Sequence, residues 1–410
     1  MSDVKHNSPS LILGITIVAG TSVGAGMFAL PLVSAGMWFS WSFVLLIVSW
    51  FFMYHSSLMI LEANLNFDPG ASFDTFVKAI LGNRWNTLNN ISLVFVLYIL
   101  TYAYISGGGS IVSHMLDSTL SISLPPMLAG LCFAFSLAAV VWLGTGLVGR
   151  MTALLVAGMA VTFLLSMADL SPSAELATLL DNKPAYAPFI LAAIPYYLTS
   201  FGYHTNVPSL LKFYGKKPLL IRRCLFYGSA TALVVYLLWL FVSLGNIPRN
   251  NFSSIFAAGG NISDLVTALS GGTGDQRLPS LLGAFANLAV VSSFLGVTLG
   301  LFDFIADKFS FDDSSLGRLK TALMTFLPPT IGGIIFPNGF VYAIGLAGLS
   351  AVVWGVVVPA LCAKASRKKY GNPLYRVWGG NTLIYCMFAY GAVLATCYVL
   401  GSFSLLPVLS

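Results

Sequence analysis

Few side chains in this sequence can carry a charge or a proton within its apolar stretches. His204 lies in TSFGYHTNVPSL, residues 199–210, and His55 opens HSSLMILEANLN, residues 55–66, which also holds Glu62. Asp303 closes SSFLGVTLGLFDF, residues 292–304. An ionisable group in apolar surroundings is a functional candidate by default. An imidazole also changes charge between pH 5 and 8, the range that proton movement needs. His204 is therefore the leading candidate for a protonatable or substrate-facing group. His55 reads first as structural, and Glu62 and Asp303 as partners of basic loops or parts of an inner gate. Ser200 and His204 stand four residues apart, the spacing that sets two side chains on one helical face. A hydrolase would need a third group to orient the histidine, and no carboxylate is evident for that role.

The backbone carries a second kind of chemistry. GTSVGAGMFALP, residues 20–31, interrupts the first long apolar run with glycines and a proline. The sixth run repeats the pattern, with Gly202 followed by Pro208. Backbone groups freed by such a break are tolerable in a membrane only where they line a protein cavity. Interrupted helices at corresponding places in two halves mark the binding site of a transporter. A helix N-terminus favours a carboxylate and free carbonyls favour an ammonium, so a zwitterionic amino acid suits both. The competing reading is close helix packing through Gly20 and Gly24, a small-xxx-small pair. The residues singled out as substrate-binding are Thr21, Ser22, Gly24, Ala25 and Gly26 from the first break. Those from the sixth are Ser200, Phe201, Gly202, Tyr203 and His204. Asn206 is placed to cap freed backbone. Tyr98, Tyr102 and Ser106, at i, i+4 and i+8, share one helical face; Tyr102 is the candidate to stack on an aromatic substrate.

The elements that must hold these residues are membrane helices. The chain has 410 residues, of which 57% are hydrophobic and 8% charged, against about 25% charged in a soluble domain. Apolar runs of membrane-crossing length are read at 10–36, 38–65, 88–115, 126–145, 149–168, 186–211, 222–246, 280–306, 318–336, 339–362 and 380–402. The expectation is an all-α integral membrane protein of eleven transmembrane helices, filling residues 1–410 as one domain. Breaks in spans one and six divide it into units of five, about 10–168 and 186–362, with an extra helix at 380–402. Five is odd, so the second unit starts on the opposite side and the repeat is inverted. With the N-terminus cytoplasmic, seventeen of the twenty Lys and Arg fall inside and only Lys183, Arg249 and Arg277 outside, as the positive-inside rule requires. The net charge of +6 thus sets topology, with the lipid bilayer as partner and no nucleic acid. The tail from Phe403 is expected outside. The first run is too long for a cleaved signal peptide.

Between the spans, SFDTFVKAIL (72–81) has apolar positions Phe73, Phe76, Val77, Ile80 and Leu81 at helical spacing, which predicts a short interfacial helix. The loop 247–279 is punctuated by Gly259-Gly260 and Gly271-Gly272, and FPNG (336–339) reads as a tight turn. The five cysteines, Cys132, Cys224, Cys362, Cys386 and Cys397, form neither a disulfide framework nor a metal knuckle. No metal and no cofactor is expected.

Several stretches together carry a family resemblance: GAGMFALP (24–31), HSSLMILEANLN (55–66), VLYILTYAYIS (96–106), SFGYHTNVPSL (200–210), GNIPR (245–249), SSFLGVTLGLFDF (292–304), GRLKTALMTFLPP (317–329), FPNGFVYAIG (336–345) and RVWGG (376–380). With these the chain resembles the hydroxy/aromatic amino acid permease family of the amino acid–polyamine–cation superfamily, and within it the bacterial tryptophan-specific permeases. The resemblance implies proton-driven import of tryptophan across the bacterial inner membrane. Alternatives are a tyrosine or broader aromatic amino acid permease, or sodium coupling. It implies a five-plus-five inverted repeat of the LeuT-like kind, working by alternating access, and no enzyme activity. In sodium-coupled relatives hydroxyls of the eighth span hold the ion with carbonyls of the first, which points to Ser292 and Ser293. Proton-coupled relatives often use a fifth-span lysine. Here that span is GRMTALLVAGMAVTFLL (149–165), with Met159 where the tryptophan permeases tend to carry the lysine. Thr205 departs likewise, standing where relatives usually have glycine. A channel or a sensor on the same fold would not accumulate its ligand.

Overall fold

A computed structural model describes residues 10–181, 183–271, 277–371 and 374–409. Lys5, counted above among the inner charges, and Gly272 of the second glycine pair lie outside the described residues. The described chain is helical throughout, without strands. The helices are α1 (Leu11–Ser22), α2 (Ala29–Ser34), α3 (Trp38–Asn64), α4 (Phe73–Leu81), α5 (Asn83–Leu120) and α6 (Pro126–Leu143). They continue with α7 (Thr145–Leu170), α8 (Leu176–Leu179), α9 (Ile190–Thr199), α10 (Asn206–Tyr214), α11 (Pro218–Asn246) and α12 (Phe252–Ala258). The last six are α13 (Ile262–Ser270), α14 (Arg277–Phe309), α15 (Ser315–Ile335), α16 (Phe340–Val352), α17 (Val358–Tyr370) and α18 (Gly380–Ser402).

Among the described residues seven helices are long and apolar enough to cross a membrane, and the bent pair of α1 with the segment Ala25–Ser34 makes an eighth. The chain is a multi-pass membrane protein. Of the eleven runs read from sequence, three fall short of that measure. α6 is short, α15 is diluted by Arg318, Lys320 and small or polar residues, and the sixth run is split into α9 and α10. Leu154, Phe135 and Leu164 lie outward and well exposed, where a lipid surface would cover them. Within the bundle, α14 packs along α7 and α1 along α11. A Cβ at Gly228 would strike Val18 and the Ile15 carbonyl, and one at Gly14 would strike Cys224. Close helix approach thus runs through Gly14 and Gly228. Gly20, the packing candidate of the sequence, has only Val156 near, at 4.0 Å.

The predicted interfacial helix is α4. Ser72 caps it by accepting from the Thr75 N–H, and Phe73, Phe76 and Val77 are buried. The 247–279 loop contains α12 and α13, and Asn261 donates to Asn338 of the FPNG turn at 3.0 Å. At this end of the bundle Trp38 donates to the Thr178 carbonyl, and Arg249 donates to the Gly36 carbonyl while its guanidinium covers the Tyr186 ring at 4.2 Å.

At the opposite end, beside α4, Glu62 is fully buried and held by Arg367 Nε and Nη2 at 2.5 and 2.8 Å, with the Val377 N–H at 2.7 Å. This joins α3, α17 and the segment before α18. Removing one partner of a buried pair leaves an uncompensated charge. Arg367→Met is therefore expected to destabilise the protein by about 3–5 kcal/mol, and Glu62→Met combined with it to recover most of that loss. Thermal melts of the single and double variants in detergent check both.

Candidate functional site

The first span stops being a helix at Ser22. Thr21 and Ser22 turn their hydroxyls back onto the carbonyls of Ile17 and Val18, as such residues do near helix ends. Val23 and Gly24 are extended, Ala25–Phe28 form a tight 3-10 turn, and α2 leaves at 49° to α1. Pro31 is the third residue of α2, a first-turn position where a missing N–H breaks no helical bond. The freed backbone is met by three side chains. Ser293 Oγ accepts from the Ala25 N–H at 3.0 Å, Trp239 Nε1 donates to the Met27 carbonyl at 3.1 Å, and Tyr236 Oη lies 2.5 Å from the Ser22 carbonyl. Gly24 is required by contact, because a Cβ there would collide with Ser293 Oγ. Beyond the turn Phe28, Trp239 and Phe285 form an edge-packed cluster with centroids 5.1–5.7 Å apart.

The sixth span breaks in the same way. α9 ends at Thr199, the chain turns through residues 200–205, and α10 begins with Pro208 again third. The Ser200 carbonyl lies 2.6 Å from the same Tyr236 hydroxyl. The two breaks therefore meet at one phenolic oxygen, and Asn206 adds a bond to Thr21 at 2.8 Å. Phe201 packs against the Tyr236 ring. Tyr203 and His204 are fully buried, turned toward α3 and Trp354. Neither His204 ring nitrogen makes a hydrogen bond of good geometry, although the backbone at Met53 and Phe201 lies beside them.

The other sequence candidates separate. Ser293 reaches the first break, whereas Ser292 bonds back to the Ala289 carbonyl of its own helix. His55 is likewise tied to its own helix, through the Phe51 carbonyl at 2.8 Å. Glu62 serves the ion pair described above. Asp303 is exposed and belongs to no ion pair among the described residues. Met159 is buried on α7. Tyr98, Tyr102 and Ser106 do share one face, but that face is not turned to the breaks. Their hydroxyls donate to the carbonyls of Met324, Phe336 and Pro337 on α15 and its following turn. The reason lies in α15: Pro328 has no N–H to give the carbonyl four residues back, Met324, and Tyr98 supplies it. The Tyr102 hydroxyl thus serves the carbonyl of Phe336, in the turn after α15, and not the freed backbone of either break.

Two residues at the breaks were not found by sequence. Tyr236 and Trp239 stand in the uninterrupted seventh span, outside every glycine or proline motif. Their one signal is a polar aromatic pair at i, i+3. Tyr104, which faces Ser293 and lies near Tyr236, sits two residues from Tyr102 and so points away from the stripe that drew attention. No group of three His, Cys, Asp or Glu able to hold a metal occurs among the described residues.

Interrupted spans whose freed backbone converges inside a multi-pass helical bundle define a membrane permease. The chain matches the tryptophan/tyrosine permease family over residues 7–398, and it belongs to that family. It is 54% identical to a tryptophan-specific transport protein of Shigella flexneri, over 98% of each chain. A tryptophan-specific transport protein of Pseudomonas aeruginosa is 53% identical over 97% of this chain and 96% of its own. A tyrosine permease of Enterobacter agglomerans is 40% identical, over 99% and 100%.

Two stability predictions follow from these contacts. Gly24→Ala displaces Ser293 and should lower the melting temperature, whereas Gly26, with no atom within 4 Å of an added Cβ, should accept alanine without loss. Tyr98→Phe leaves the Met324 carbonyl unpaired and should cost about 1–3 kcal/mol of stability while leaving the apparent KM for substrate unchanged. Melts and concentration-dependent uptake on the same preparations measure both.

Proposed function

We propose that this chain imports tryptophan by cation symport, through alternating access around the breaks in its first and sixth spans. The substrate assignment is supported by the two tryptophan-specific relatives at 53–54% identity, against 40% for the tyrosine permease. The site assignment rests above all on one observation, the convergence of the Ser22 and Ser200 carbonyls on Tyr236. In this reading Thr21, Ser22, Gly24, Ala25 and Gly26 hold the substrate backbone together with Ser200, Phe201, Gly202, Tyr203 and His204. Much of that contact is through main-chain groups.

The proposed topology has eleven spans, counting α6, the α9–α10 pair and α15 with the eight. The α4 end is cytoplasmic and the α12–α13 end faces outward, in five-plus-five inverted units followed by α18. The positive-inside count supports this orientation. Thr21 and Thr205 are exposed on the α4 side of the breaks, while Trp239 and Phe28 are buried on the other. We read the described conformation as one closed outward and accessible from inside.

Coupling is assigned to a proton, with His204 as the group that carries it. This histidine is fully buried beside the sixth break, and its ring nitrogens lack well-formed partners. Sodium is the second reading, favoured by Ser293, whose hydroxyl stands at the first break. Either cation entering down a 100 mV potential contributes about 2.3 kcal/mol, roughly a fifty-fold concentration ratio.

Uptake of labelled tryptophan into proteoliposomes tests the proposal. Accumulation is expected under an imposed pH gradient, with competition by unlabelled tryptophan and little by tyrosine, phenylalanine or serine. His204→Gln should abolish the accumulation while still allowing exchange, and Gly26→Ala should raise the KM. Accumulation under a sodium gradient alone would reassign coupling to Ser293. Mere equilibration under both gradients would overturn active transport.

A further inference from the structure

Tyr236 poses a counting problem. Its hydroxyl carries one proton, yet two backbone carbonyls approach its oxygen, Ser22 at 2.5 Å and Ser200 at 2.6 Å. A phenol donates one hydrogen bond, so at any instant one carbonyl is bonded and the other faces an oxygen with no hydrogen between. Neither carbonyl has the ordinary helical partner to fall back on, because each belongs to the last residues before a break. Tyr236 is fully buried and Ser22 and Ser200 nearly so. Tyr104 lies near, and its own hydroxyl faces Ser293. Ser293 in turn is engaged as acceptor by the Ala25 N–H. Tyr236 Oη and the Ser22 and Ser200 carbonyl oxygens are thus three oxygens in mutual reach with the one phenolic proton between them. The group that best completes the set is a compact cation with several N–H bonds, and charge-assisted bonds are the stronger kind.

We propose that Tyr236 is a positioning residue of the substrate site: its hydroxyl holds the Ser22 and Ser200 carbonyls convergent and leaves one of them short of a hydrogen, to be completed by the ammonium of the transported amino acid. The inference rests on the reading that an amino acid binds at the breaks, and it adds a residue from the seventh span that belongs to neither break. On binding, one ammonium N–H bonds the unserved carbonyl and another reaches the phenolic oxygen. The phenolic proton stays on the second carbonyl. A single hydroxyl then registers whether the amine is present and ties both broken helices to α11 when it is.

The test uses the intact protein in proteoliposomes and two competitors of labelled tryptophan. One is unlabelled tryptophan. The other is indole-3-propionate, which keeps the indole and the carboxylate and lacks the ammonium. Tyr236→Phe removes the hydroxyl and keeps the ring that packs on Phe201. We expect the variant to bind tryptophan about tenfold more weakly, about 1.4 kcal/mol, with indole-3-propionate changed less than twofold. A purely structural role would move both competitors alike, so equal shifts, or no shift in either, overturn the inference. If the phenylalanine variant is not recovered folded, 3,5-difluorotyrosine at position 236 carries the same test. It preserves shape and makes the oxygen a poorer acceptor, so tryptophan alone should weaken. Failure of unlabelled tryptophan to compete in the wild-type protein is a separate result. It overturns the transport reading itself and this inference with it.

Discussion

A backbone that leaves the helix inside a bilayer must find partners for the groups it releases, and this requirement organises the molecule. Lipid offers no hydrogen bonds. Every release therefore needs a protein donor or acceptor close by. At the first break these are Ser293, Trp239 and Tyr236, and at the sixth Tyr236 again. At the prolines of α15 the donor is Tyr98. A small set of polar side chains, Ser293, Trp239, Tyr236 and Tyr98, serves this interrupted backbone, while most other hydroxyls bond back to their own helix.

The two kinds of interruption are handled differently. In α15 a lost N–H is compensated within one turn by a neighbour's hydroxyl, and the helix continues. In the first and sixth spans the chain leaves the helix for several residues, and the partners come from α11 and α14, elements distant in sequence. A local defect thereby becomes a junction. Tyr236 and Asn206 connect the first break to the sixth, so movement of one half-helix is felt by the other. The two ends of the bundle differ as well. Arg249 and Trp38 bond carbonyls across one end, while the other holds the buried ion pair of Glu62 with Arg367, together with bonds from Lys369 to Ala79 and from Tyr214 to Ser10.

The same rule separates informative glycines from permissive ones. At Gly24 an added Cβ would displace the Ser293 hydroxyl. Gly14 and Gly228 let α1 and α11 approach to backbone contact. Gly26 is crowded by nothing and borders the turn where the α2 half-helix starts, so its lack of a side chain leaves open volume at the break. Four identical residues thus play three different parts, and only the neighbouring helices distinguish them.

What the amino-acid sequence determined by itself was whatever depends on local chemistry. Charge scarcity and run length require membrane helices. Glycine and proline place both breaks to within a few residues, because those two residues carry their conformational preferences with them. The periodicity of Phe73, Phe76 and Val77 settles α4. The tertiary structure decided which polar groups serve which breaks. Tyr102 and Tyr104 are neighbours in one helix, yet the first caps a turn after α15 and the second faces Ser293, because successive side chains of a helix point in different directions. Ser292 and Ser293 part in the same way. Tyr236, on an unbroken span with no motif around it, becomes the meeting point of both breaks only when α11 is packed between them. A hydrogen bond needs two groups within about 3 Å, and for residues more than 200 positions apart in the chain, as Ser22 and Tyr236 are, only folding brings them there.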